Sequence, residues 1–189
     1  MEEIIKLDKE LLVFLNRLGS SQYDQFWLLI TKQFNWIPFF IILLIILQKR
    51  IGWKKLAISI LFVALLITFT DQVTNLFKNH FQRLRPCNDF EVKDIIRIVK
   101  HSDTFSFFSG HAANSVAAMT FVFLILKRYY KYAFVIFLFP LIFAYSRIYL
   151  GLHFPLDIIT GYVFGLSFGI GFYKLYTLVI KKYFPPSTI

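Results

Sequence analysis

The chain has 189 residues, 57% of them hydrophobic, and a mean hydropathy of +0.61, which is more apolar than a soluble domain of this size. Its apolar residues fall in blocks of about 20, the length that crosses a bilayer's hydrocarbon core, so the sequence reads as one membrane domain without room for a second sizeable one. A formal net charge of +10 would direct a soluble protein toward nucleic acid, but here it fits the basic turns of a membrane protein and a cluster that holds an anion, so no nucleic-acid partner is expected. Cys87 is the one cysteine, which leaves no intrachain disulfide and no cysteine metal cluster.

In residues 1–19, Ile4, Ile5, Leu7, Leu11, Leu12, Phe14 and Leu15 recur at helical spacing with charges between them. This pattern predicts an amphipathic helix at the membrane surface, ending near Gly19. The segment lacks a basic n-region and a small-residue cleavage site, so it is not read as a removable signal peptide. Membrane spans are predicted over 23–47, 55–77, 106–126, 132–149 and 155–180, with a polar loop over 78–104. The first span is imperfect, because Lys32, Gln33 and Asn35 lie inside it and Pro38 can kink it. The expected fold class is all-α: a polytopic membrane helix bundle of about five transmembrane helices with an N-terminal interfacial helix.

Five spans put the chain ends on opposite sides. One side carries Lys49, Arg50, Lys54 and Lys55, then Lys127, Arg128 and Lys131, then Lys181 and Lys182, with no acidic residue among them. The positive-inside rule makes that side cytoplasmic. The N-terminal helix, the 78–104 loop and the turn from Arg147 to His153 then face outward, the periplasm or exterior of a bacterium. Gly161, Gly165 and Gly169 recur every four residues in the last span, and Ala112, Ala113, Ser115, Ala117 and Ala118 open the third. Small residues in such rows let backbones approach, so these two helices are expected to pack side by side.

Three polar stretches fall at outward span ends: "KNHFQRLRP" with Lys78 and Arg85, "FSGH" with Ser109, Gly110 and His111, and "SRIYLGLHFPLD" with Ser146, Arg147, His153 and Asp157. Each has a plain structural reading. Lys78 and Arg85 can snorkel to lipid headgroups, Ser109 can cap a helix, and a lone histidine can be an interfacial residue. Asp157 is harder to dismiss, since a carboxylate inside a span needs a partner, and His153 is one helical turn away. Together the stretches have a chemical reading. Lys78, Arg85 and Arg147, with the backbone N–H groups of a helix start, suit a phosphoryl group and its transition-state charge. Of the two histidines, one can attack phosphorus as a neutral imidazole while the other protonates the leaving oxygen, and Asp157 can orient the attacking ring.

These stretches resemble the type 2 phosphatidic acid phosphatase superfamily of membrane lipid phosphatases, whose motifs are K-x6-R-P, P-S-G-H and S-R-x5-H-x3-D. The resemblance spans roughly residues 55 to 175, with the motifs in order and at the family's spacing. It implies that Lys78, Arg85 and Arg147 bind phosphate with help from Ser109 and Gly110. It implies that His153 is the nucleophile, forming a phosphohistidine, that Asp157 orients it, and that His111 protonates the leaving group and then activates water. It implies no metal and no other cofactor. The one departure is Phe108 where the family has proline, which puts only fine geometry or substrate fit in question. Arg83, an extra cation inside the first motif, is expected to face solvent rather than a second phosphate or a headgroup. The implied partners are membrane lipids and a phosphorylated lipid substrate at the outward face of a bacterial inner membrane. The first expectation for that substrate is undecaprenyl pyrophosphate. Lipid A, phosphatidic acid and phosphatidylglycerol phosphate are the alternatives, as are a lipid phosphotransferase and, outside enzymes, a lipid-phosphate binding or transport protein.

Overall fold

Helix α1 (Glu2–Arg17) has acidic residues in its first turn and Arg17 in its last, which suits the helix dipole at both ends. Its apolar stripe, Ile4, Leu7, Leu11, Phe14, is exposed, while Asp8, Leu12 and Asn16 are buried against the rest of the chain. The buried stripe mixes polar and apolar residues, Lys6 and Glu10 stay exposed, and the apolar stripe faces outward as in a helix beside lipid. Asn16 anchors it: its Nδ2 donates to the carbonyls of Arg97, Ile148 and Tyr149 at 3.0–3.1 Å, and its Oδ1 accepts from Arg97 N–H at 2.7 Å. A computed structural model describes residues 2–184, and these contain helices and turns but no strand.

The 23–47 interval is not one helix. Short α2 (Asp24–Ile30) ends at Thr31, a 3-10 turn covers Gln33–Trp36, and only then does α3 begin. The carbonyls freed by this break are met by side chains: Asn35 Nδ2 donates to Leu29 O at 2.7 Å and Trp36 Nε1 to Ile30 O at 2.8 Å. Pro38 sits in the first turn of α3, where its missing N–H costs no hydrogen bond, and so it starts a helix rather than kinking one. α3 (Ile37–Phe81) is two helices joined at Gly52, whose φ of +74° is left-handed and therefore suits glycine. Residues 37–51 and 53–81 form separate limbs, with the basic residues 49–55 around the bend. Arg50 Nε donates to Tyr130 Oη at 2.8 Å, so this bend and the turn after α4 share one end of the bundle.

α4 (Gly110–Leu126) is apolar on all sides and buried along most of its length, as the central helix of a bundle should be. It begins four residues later than the third span was expected to, so 106–109 belong to the preceding loop. A 3-10 turn (Ala133–Phe137) leads into α5 (Leu138–Tyr149), and α6 (Pro155–Tyr183) closes the described chain. α4 and α6 touch through their small residues, as their spacing predicts. A Cβ on Gly161 would lie 2.8 Å from Ser109 O, and one on Gly169 would lie 2.7 Å from Ala117 O. The core holds Leu43, Leu56, Leu66, Met119, Phe121 and Phe139, while Ile42, Leu61, Leu138, Leu141, Val163 and Leu175 are exposed on the outside of the bundle. Apolar side chains on both sides of its helices fit a protein solvated by lipid.

Candidate active site

The long helix limb 53–81 runs one turn beyond the predicted span, so Lys78 lies in the last turn of α3 rather than in the loop. The loop 82–109 then folds down over the bundle. Its Ser106 N–H and hydroxyl bond to the carbonyls of Arg83 and Leu84, Cys87 N–H to Gly151 O, and Ser109 N–H to Asp157 O at 3.0 Å. Ser109 caps α4, accepting from Ala112 N–H at 3.4 Å, so the plain capping reading is the contact its side chain makes. Gly110 is the first residue of α4. Its open backbone presents the start of the helix.

Phe108 is fully buried, stacked on Phe164 at 4.9 Å and edge-on to Phe77 at 5.3 Å. Where the family has proline, this chain has an aromatic wedge that ties the loop to α3 and α6.

The loop and the α5–α6 connection converge on His153, which is 1% exposed. Pro155 and Phe154 start α6, and Asp157 closes that start by accepting Phe154 N–H on Oδ2 at 3.0 Å. The same oxygen lies 3.4 Å from His153 Nδ1. On the other side of the ring, Arg85 Nη1 is 3.1 Å from Nε2. A guanidinium can only donate, so Nε2 is the acceptor and Nδ1 carries the proton toward Asp157. Burial first, then the charges of Arg85 and Arg147, hold His153 well below the ordinary histidine value. The ring is therefore neutral near pH 7, with the Nε2 lone pair accepting from Arg85. A nitrogen-15 imidazole titration of the protein should show His153 neutral near pH 7, with its proton on Nδ1 and its protonation only well below the ordinary histidine value, and protonation at the ordinary value would contradict this.

The cations gather around this ring without carboxylate partners. Arg85 bonds Thr104 and the Leu152 carbonyl through Nε, Nη1 and Nη2. Arg147 is 6% exposed and donates once, to Thr31 Oγ1 at 2.8 Å, while its Nε has no partner. Lys78 lies within electrostatic range of both arginines, and His111 within range of all three cations and His153. Among the described residues no ion pair links Lys78, Arg85 or Arg147 to an acid. Buried cations without a counter-ion are costly, and a bound anion supplies what they lack. Arg147→Ala should therefore raise the inhibition constant of inorganic phosphate by about tenfold or more, since a charged hydrogen bond is lost.

His111 stacks on Phe143 with ring centroids 5.1 Å apart. Phe143 also lines a cavity of about 410 Å³ between the two limbs of α3, α4 and α5, walled by Leu43, Leu47, Leu56 and Val122. Its polar members are few, chiefly Asp71 and Asn114, whose side chains meet at 2.6 Å.

Arg83 departs from its expected place in solvent. Its Nη1 donates to Asp157 Oδ1 at 2.7 Å, its Nη2 donates to Asp8 Oδ2 at 2.6 Å, and the guanidinium lies 4.0 Å over the Phe154 ring. The sequence reading also missed Asp8, Thr31 and Thr104. None of the three stood out in the sequence, since α1 also holds Glu2, Glu3 and Glu10 and an acid at position 8 is one among several.

An apolar helix bundle with an unpaired cation cluster around two histidines at one end is an integral membrane protein built to receive an anion. The sequence profile of the PAP2 superfamily matches residues 52–181. The chain belongs to that family, as its motifs indicated, and is a membrane hydrolase of lipid phosphates. It is 33% identical over 185 residues to the lipid A 4'-phosphatase of Bacteroides thetaiotaomicron, covering 96% of this chain and 80% of that one. It is 30% identical over 179 residues to the lipid A 4'-phosphatase of Porphyromonas gingivalis, covering 93% and 75%. Its fold matches Aquifex aeolicus LpxE with a TM-score of 0.67 and 26% identity, covering 87% and 93% of the two chains. It also matches the transmembrane PAP2 type phosphatidylglycerolphosphate phosphatase of Bacillus subtilis, with a TM-score of 0.72 over 97% and 90%, a likeness of fold alone at 18% identity.

Proposed function

We propose that this chain removes a phosphate monoester from a lipid of the lipid A type, at the periplasmic face of the inner membrane, through a phosphohistidine on His153. The observation that carries the substrate class is the identity to two lipid A 4'-phosphatases over nearly the whole chain. It favours lipid A over undecaprenyl pyrophosphate, the first expectation from sequence. The orientation is supported by the basic turns around residues 49–55 and 127–131, which lie at one end of the bundle while the cation cluster lies at the other.

The chemistry follows from the geometry. The phosphate dianion enters between Lys78, Arg85 and Arg147, and takes over the Nη1 hydrogen that Arg85 directs at His153 Nε2. The freed Nε2 lone pair attacks phosphorus, a P–N bond forms, and the P–O bond to the lipid breaks. His111, protonated in the presence of the bound dianion, gives its proton to the leaving oxygen. Asp157 keeps the Nδ1 proton in place and stabilises the positive charge that grows on the ring. A water that loses its proton to His111 then attacks phosphorus, and inorganic phosphate and neutral His153 are released. The cavity beside Phe143 offers an acyl chain an apolar path within reach of His111.

Phosphate release by the purified protein from lipid A, undecaprenyl pyrophosphate, phosphatidic acid and phosphatidylglycerol phosphate tests the substrate. Lipid A is expected to have the highest kcat/KM, and a preference of tenfold or more for any of the others would overturn this assignment.

A further inference from the structure

The mechanism above leaves one set of buried charges without a task. Asp8 is 6% exposed and Asp157 is fully buried, and the two acids share a single guanidinium, that of Arg83. The Asp8 carboxylate makes a second contact, accepting Leu156 N–H on Oδ1 at 2.7 Å. It thus caps the first turn of α6 from another helix, while Asp157 caps the same turn from within. Arg83 closes the circuit, and the Phe154 ring beneath its guanidinium fixes the plane of the fork. A continuous path of contacts results: Asp8, Arg83, Asp157, His153, Arg85.

We propose that Arg83 and Asp8 are positioning residues for the nucleophile, acting through Asp157, so that the N-terminal helix is part of the catalytic apparatus. The inference rests on the reading of His153 as nucleophile. Asp157 has two oxygens with different duties. Oδ2 faces His153 Nδ1 and Phe154 N–H, and Oδ1 accepts from Arg83. Binding Oδ1 prevents the carboxylate from turning about its last bond and keeps Oδ2 toward the ring. The planar fork of arginine can bridge two acids at once, which a lysine cannot do with the same geometry. Asp8 in turn holds the far arm of the fork. Asn16, two helical turns further along α1, fixes that helix on the carbonyls that end α5, just before the His153 connection. The path points away from the cation cluster, so Arg83 serves the base side of the ring and not the phosphate.

The test uses the full chain purified in detergent, with lipid A and dioctanoyl phosphatidic acid as substrates and rates expressed per folded protein, judged by size-exclusion profile and melting temperature. Arg83→Gln should lower kcat by about 10- to 100-fold with KM within about twofold, the range seen when a group that orients a reacting residue is removed. Arg83→Lys should recover part of that loss, and Asp8→Asn should show a smaller loss in the same parameter. Inhibition by inorganic phosphate should be unchanged in all three, because none of them touches the anion. The decisive comparison is Arg83→Gln with Asp157→Asn: the double variant should be no slower than Asp157→Asn alone, since Arg83 makes its hydrogen bond to Asp157 and none to the ring. Additive losses, a rise in KM with kcat intact, or full activity in Arg83→Gln would each overturn the proposal. If Arg83→Gln does not fold, Arg83→Lys and Asp8→Asn carry the same comparison. His153→Gln and Asp157→Asn, measured in parallel, keep the two readings apart. Full activity there refutes the histidine mechanism itself, whereas their loss with Arg83→Gln intact refutes only the positioning role.

Discussion

His153→Gln is expected to lower kcat by on the order of 10⁴-fold or more, while the protein folds and still binds phosphate. Glutamine keeps much of the imidazole's volume, and it leaves an acceptor for the Arg85 Nη1 that sits 3.1 Å from His153 Nε2. What it removes is the imidazole nitrogen that faces Arg85. Alanine at the same place would lose the nucleophile too, but it would also leave a void in a site that is 1% exposed and an arginine without a partner. A loss of activity in that variant would therefore mix chemistry with damage. The informative measurement is phosphate release by His153→Gln beside its inhibition by inorganic phosphate. The first should nearly vanish and the second should hold. Asp157→Asn should fall between wild type and His153→Gln, because the ring loses its orientation and tautomer but not its lone pair.

Gly165→Val is expected to be the most damaging change away from the site. A Cβ on Gly165 would run into the backbone of Ala113, with its carbonyl carbon at 3.1 Å and its Cα at 3.2 Å. Backbone cannot swing aside as a side chain can, so α4 and α6 must separate. They are also the two helices whose first turns form the site, joined there by Ser109 N–H on Asp157 O at 3.0 Å. The cost should be about 3 kcal/mol or more, enough to leave little folded protein in detergent. Gly171 is the control, since a Cβ there meets nothing within 4 Å, and Gly171→Ala should melt like wild type. Melting curves of the two variants check this directly. Equal stability would mean that the close approach of α4 and α6 contributes little.

The residues of the candidate site were readable in the sequence because their types are costly in a membrane and their spacing is fixed by single turns of helix. Asp157 four residues after His153 is such a case. The α4–α6 contact was readable for a similar reason, since rows of small residues have few uses other than close packing. Arg83 was not readable. It occupies a position of its motif that carries no pattern, and its partner Asp8 lies 75 residues earlier in the chain. Periodicity gave α1 two faces without saying that Asp8, Leu12 and Asn16 are buried while the apolar stripe stays exposed. The break at residues 31–36 was foreshadowed by Lys32, Gln33 and Asn35 inside an apolar run. Its form depends on Asn35 and Trp36 reaching back to carbonyls six residues earlier, which no local pattern encodes.

The central claim is that phosphorus passes through the His153 ring. The most direct measurement is to mix the protein with lipid A labelled with phosphorus-32 at the 4'-position, quench with alkali within milliseconds, and map the labelled peptide. A phosphohistidine is stable in alkali and labile in acid, so the label should sit on the peptide containing His153, survive base, and be lost at low pH. Label on His111 or on another residue, or a rapid release of phosphate with no labelled protein at any time, would contradict the account.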